Sequence, residues 1–151
     1  MLRSRLNDAL KDAMKAKEAR ATSTLRLIIA ALKDRDIAER TKGNGEGLGD
    51  EAILDMLQKM VRQRHDSIEM YERGQREDLA KREAEEIEII ERFLPKQMDE
   101  ADMRAAIEAA IAELGAASVK DMGRVMGSLK ERYPGRMDFG KASGIVKEKL
   151  V

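Results

Sequence analysis

Only two prolines interrupt this chain, Pro95 and Pro134, and both stand where a helix has to stop. Proline removes a backbone donor and disfavours the helical region for the residue before it. Between these stops apolar residues recur at helical spacing. Leu6, Ala9, Leu10, Ala13 and Met14 form one such set, and Leu25, Ile28, Ile29 and Leu32 form another. A sheet is excluded by composition. There are two Phe, two Tyr and no Trp, β-branched residues are sparse, and ten Met supply soft filler instead.

The punctuation predicts seven helices. The first runs from about Leu2 to Lys17, with a break near Ala19–Thr22, and the second fades by Arg40. Residues 43–49 hold four glycines in seven positions, which predicts a flexible loop. Asp50 is expected to cap a third helix that Gly74 stops. A fourth spans about Arg76 to Phe93 and ends at Leu94-Pro95. Asp99 and Gly115 bracket a fifth, Ser118 with Asp121 opens a sixth as a capping box, and Asp138 caps a seventh through about Leu150. The fold class is therefore all-α, with a four-helix N-terminal unit (1–94) followed by a three-helix C-terminal bundle (95–151).

Charge narrows the function classes. The 151 residues carry 29 Lys+Arg and 29 Asp+Glu, so no bulk attraction to nucleic acid exists. The distribution is uneven: residues 1–42 hold 11 basic against 6 acidic, and residues 118–151 hold 8 against 4. There is no cysteine, hence no disulfide, thiolate metal site or thiol nucleophile. No apolar signal core follows the N-terminus and no long apolar run occurs. A cytoplasmic protein with no membrane partner is expected.

Chemistry-bearing motifs are scarce. The carboxylates Glu83, Glu85, Glu86, Glu88 and Glu91 share one helix and read as a solvated, salt-bridged face. His65, the lone histidine, lies beside Asp66 and Ser67, but helix neighbours one and two apart point in different directions. A local triad is therefore ruled out. Glycine-rich phosphate cradles are missing. Arg62, Arg64, Arg73 and Arg76 form a basic group without aromatic stacking partners, so any RNA contact there would be to phosphate, ribose and shape. No catalytic, cofactor-binding or metal-binding residue is expected.

The segment Ser118–Lys130 carries the most information. It reads as a helix, yet Gly123 and Gly127 sit four residues apart, each costing roughly 1 kcal/mol against alanine. Val119, Met122, Val125, Met126 and Leu129 project onto one face. The glycines project onto the adjoining face with Lys120, Arg124 and Lys130. Such a strip suits a polyanion at close range or a closely packed helix, and Arg136 and Lys141 could flank it.

Several stretches resemble the YqeY-like proteins. They are Ala13-Met14-Lys15-Ala16-Lys17-Glu18 with Thr24-Leu25-Arg26-Leu27-Ile28, and Arg62-Gln63-Arg64-His65-Asp66-Ser67-Ile68-Glu69-Met70-Tyr71. Arg76-Glu77-Asp78-Leu79-Ala80 with Glu83, Glu86, Phe93-Leu94-Pro95 and Gln97 follows, then Lys120-Asp121-Met122-Gly123-Arg124-Val125-Met126. The resemblance covers nearly the whole chain. It implies an all-helical fold and kinship with the C-terminal tail of the B subunit of the tRNA-dependent amidotransferase, which helps hold the tRNA body. Implied partners are tRNA and an aminoacyl-tRNA or amidotransferase protein. The kinase-like and glutaminase parts are lacking. The chain is thus expected to be non-catalytic by itself, with Lys120, Gly123, Arg124, Gly127, Lys130, Arg136 and Lys141 as nucleic-acid contacts. Alternatives are a protein-interaction adaptor without RNA, and a carbon–nitrogen ligase using glutamine together with partner subunits. Fold kinship alone confers none of these activities.

Overall fold

Apolar stripes at helical spacing need a partner surface, and here they find it in two separate cores. The computed structural model describes residues 1–151 as seven α-helices with no strand. The chain divides into two compact units, Met1–Leu94 and Pro95–Val151.

The first unit holds α1 (Leu2–Lys15), α2 (Ala19–Thr41), α3 (Asp50–Arg73) and α4 (Glu77–Glu91). Its core takes Leu2 and Leu6 from α1, Leu25, Ile28 and Leu32 from α2, Ile53, Met56, Leu57 and Met60 from α3, and Ile89 and Ile90 from α4, with Phe93 just beyond. Past Met60, α3 contributes no buried residue. From there it continues beside α4 as a two-helix hairpin, with Ala80 and Ile87 of α4 buried.

Local corrections to the expected boundaries have physical causes. The break between α1 and α2 falls at Ala16–Glu18, before the expected position, because Lys17 adopts φ 57° and its amide turns back to Met14. Gly49, not Asp50, is the N-cap of α3. Asp50 is the first helical residue, and its carboxylate accepts from the Met1 and Leu2 nitrogens at 3.4 Å. At the far end Gly74 is the C-cap with an ordinary φ of −85°, and Gln75 takes the left-handed conformation at φ 57°.

The glycine loop is stapled rather than loose. Asp36 accepts two bonds from the Arg3 guanidinium, at 2.5 and 3.0 Å, and a third from the Leu48 amide at 3.0 Å. Gly47 passes directly over this carboxylate. A Cβ there would stand 2.4 Å from Asp36 Oδ1, and the φ of 81° already demands glycine. The hydrogen bonds from Arg3 come first among the forces that hold the Asp36 carboxyl below the usual aspartate range. A lowered folded-state value means stability that is present above about pH 4 and lost as pH falls through the lowered value. Asp36→Ala is expected to cost about 1.5 kcal/mol at neutral pH. Urea unfolding at pH 7 and pH 3 checks both: the gap between variant and wild type should narrow at pH 3.

The second unit holds α5 (Glu100–Leu114), a 3₁₀ turn (Val119–Asp121), α6 (Met122–Arg132) and α7 (Phe139–Leu150). Its core joins Met103, Ile107 and Ala110 to Val125 and Leu129, and to Met137, Ala142, Ile145 and Val146. Caps are as the sequence predicts. Asp99 and Asp102 form a reciprocal capping box and Gly115 closes α5 at φ 62°. Ser118 and Asp121 form a second box, and Asp138 accepts from the Gly140 and Lys141 amides. The segment that enters this unit, Pro95 to Met98, is stitched to the turn around Gly135. Met98 N donates to Arg136 O at 2.9 Å, and Gln97 Nε2 donates to Gly135 O at 2.6 Å.

Candidate nucleic-acid interface

Helix α6 begins on a 3₁₀ turn, and that turn changes the expected projection. Val119 was expected on the apolar face, but it is 45% exposed, because the tighter turn puts residues 118–121 out of phase with the α-helix that follows. Within α6 the phase is regular. Val125 and Leu129 are fully buried, while Gly123, Arg124, Gly127 and Lys130 are exposed, as is Lys120 on the preceding turn.

Both α6 glycines are open. A methyl group on Gly123 or Gly127 would meet no atom within 4 Å beyond its own helix backbone. Packing within the chain therefore does not require either glycine. Gly123 is the second residue of α6, where helix propensity matters less, whereas Gly127 is interior. Gly127→Ala is expected to stabilise the protein by about 1 kcal/mol and Gly123→Ala by less. Denaturant midpoints measure this directly; a loss of stability in either variant would show that the open face is occupied.

The strip is a mixed-charge one. Arg124 pairs with Asp121 at 2.9 Å. The Ala117 amide first, and Arg124 second, hold the Asp121 carboxyl below the usual range, so it stays ionised beside the strip. Glu131, four residues after Gly127, brings an exposed carboxylate to the same face. Sequence reasoning passed over Glu131, although its i+4 spacing from Gly127 was legible.

The other expected contacts have different surroundings. Arg136 is half-buried, donates from Nε to Lys96 O at 3.1 Å and lies 6.0 Å from the Tyr133 ring, so it serves the turn that holds the segment entering this unit. Lys141 lines a groove between α5 and α7 together with Asp99, Glu100, Asp138 and Glu148. The basic group near the α3–α4 turn is largely paired. Arg73 meets Glu69 at 2.6 Å, and Arg76 meets Asp78 at 3.2 Å. Arg64 turns inward, its Nε 2.9 Å from Glu86 and 4.0 Å from Glu83. This corrects the carboxylate run as well. Glu85 reaches Arg20 at 3.2 Å and Glu88 and Glu91 are exposed, but Glu86 is buried and Glu83 half-buried. Desolvation, then repulsion from Glu86, raises the Glu83 carboxyl above its usual range.

His65 and Asp66 are both exposed. No three His, Cys, Asp or Glu side chains converge in a way that could hold a metal ion. No helix is long and apolar enough to cross a membrane.

These features define an all-α protein of two units, the second exposing a short basic helix with two open glycines. Residues 3–150 match the family described as Yqey-like protein, and the chain belongs to that family. Among curated proteins it is similar to "Altered inheritance of mitochondria protein 41, mitochondrial". The Lachancea thermotolerans protein is 34% identical over 111 residues, covering 72% of this chain and 57% of that protein. The Candida glabrata protein is 34% identical over 89 residues, covering 59% of this chain and 47% of that one. The chain thus spans about half the length of the curated relatives it matches. Their names place those relatives in mitochondria.

Proposed function

We propose that this chain is a non-catalytic RNA-binding module, and that the α6 face formed by Lys120, Gly123, Arg124, Gly127 and Lys130 contacts the backbone of folded tRNA. The observation that carries this reading is the pair of open glycines. Glycine on an exposed helix face costs stability, and nothing inside the chain repays it. A ribose–phosphate backbone seated on the strip would, because the missing side chains let it approach while the flanking cations neutralise it. The reading takes residues 95–151 as a domain of its own. It gives the chain a role beside an amidotransferase or another tRNA enzyme, with any glutamine-dependent ligase chemistry supplied by partner subunits.

Titration of bulk tRNA at 50 and 200 mM salt tests the proposal. Binding at low salt that weakens steeply at the higher concentration is expected. No binding at low salt sinks it. The adaptor reading has one observation in its favour, the 45% exposed Val119 beside the strip. Pull-down from cell extract separates the two, because an adaptor keeps its partners after RNase treatment.

A further inference from the structure

A second surface on the C-terminal unit has the opposite chemistry. Between the start of α5 and the outer side of α7 lies a groove of about 450 Å³, open to solvent. Its floor is apolar, made by Met98, Met103 and Ile145. Its rim is acidic. Asp99 and Glu100 come from the α5 end, and Asp138 and Glu148 from α7 and its cap. The cations present are Lys141 on the rim and Arg104, which reaches Glu100 at 3.1 Å and Glu148 at 3.8 Å. Carboxylates still outnumber cations four to two, so an RNA backbone is repelled here while a cationic ligand is favoured.

Gly144 is the independent sign that the groove is kept clear. It lies inside α7, exposed, and a Cβ on it would meet nothing within 4 Å. Any larger residue except proline would stabilise the helix there and project into the groove. Methionine adapts to varied apolar partners, and an apolar trough with a charged rim suits the apolar face of a helix.

We infer that this groove docks a basic amphipathic helix of a partner protein, its apolar anchors on Met98, Met103 and Ile145 and its lysines or arginines on Glu100 and Glu148. The site is separate from the α6 strip. The module would then hold RNA on one face and a cationic protein segment on another.

The test uses the full chain and two synthetic helical peptides followed by fluorescence anisotropy. One carries leucines on one face and lysines on the other; its twin has glutamates in place of the lysines. The basic peptide should bind about ten-fold or more tightly than the acidic twin. Gly144→Leu should weaken it by about ten-fold by filling the trough. Circular dichroism reports whether that variant is folded, and Glu100→Gln/Glu148→Gln, altering only exposed side chains, should weaken binding in the same direction. The Gly144 amide and the Met98 and Met103 methyl groups should shift in NMR spectra on titration. Failure of the basic peptide to bind, equal binding of both peptides, or unchanged binding by Gly144→Leu and the double variant would each overturn the inference. None of these results touches tRNA binding, which Gly144→Leu should leave intact.

Discussion

Arg64→Ala is expected to destabilise the protein by about 3 kcal/mol. The Arg64 side chain is only 13% exposed, and its Nε lies 2.9 Å from the carboxylate of Glu86, itself 12% exposed. Arg64 Nη1 also donates to the Met60 carbonyl at 3.1 Å, closing the point where the four-helix core gives way to the α3–α4 hairpin. Removing it leaves Glu86 buried and uncompensated, with Glu83 close by. The pair itself need not be favourable, because burying two ions carries its own desolvation cost. Arg64→Met/Glu86→Leu should therefore be closer to wild type than Arg64→Ala. Denaturant unfolding of the three proteins gives the comparison; a double variant less stable than the single one would show that the pair contributes more than its apolar replacement. Glu83 adds a pH signature. Its raised value means stability present at low pH and lost as pH rises through that value, so Glu83→Gln should flatten this part of the profile.

The second large effect concerns RNA. Lys120→Ala/Arg124→Ala is expected to weaken tRNA binding by roughly 60-fold near 0.1 M salt, since each phosphate contact contributes on the order of 0.9 decade there. The salt slope should fall by about 1.8 in the same experiment. The fold should survive, because Lys120 is exposed and Arg124 is a surface partner of Asp121, which keeps its bonds from the Ala117 and Ser118 amides. Glu131→Gln supplies the opposite sign: removing the carboxylate from the strip should tighten binding. Equal affinities across these variants would move the RNA site away from α6.

Much of this was legible because it is local. Asp99, Gly115, Ser118 and Asp138 act on backbone groups within a few residues, so sequence spacing predicts them, whereas α4 ends at Glu91, before the expected Phe93, and tightens into i+3 turns ahead of Pro95. The shared face of Gly123 and Gly127 was legible for the same reason, but its exposure was not, because spacing along one helix does not tell solvent from a packed neighbour. What escaped depended on distance or on phase. Glu86 finds Arg64 across 22 positions, a partner that sequence spacing does not reveal, although Glu83 and Glu86 stand four residues before Ile87 and Ile90 on the buried side of α4. Asp36 reaches across 33 positions to Arg3, which converts a glycine-rich stretch from loose linker into a stapled loop. Val119 was misplaced because a 3₁₀ turn replaced the first turn of the expected helix. Half of the acidic surroundings of Lys141, Asp99 and Glu100, came from the start of α5, about 41 positions away, while Asp138 and Glu148 are its neighbours at the cap of α7 and within it.

The central claim is that Gly123 and Gly127 are kept for the close approach of a tRNA backbone. The most direct measurement is the tRNA affinity of Gly123→Leu/Gly127→Leu. Its cations are intact, and the open space around both positions lets the fold persist. The account predicts a folded, thermally more stable protein whose affinity falls by about ten-fold or more. A folded variant that binds tRNA as tightly as the wild type would contradict it.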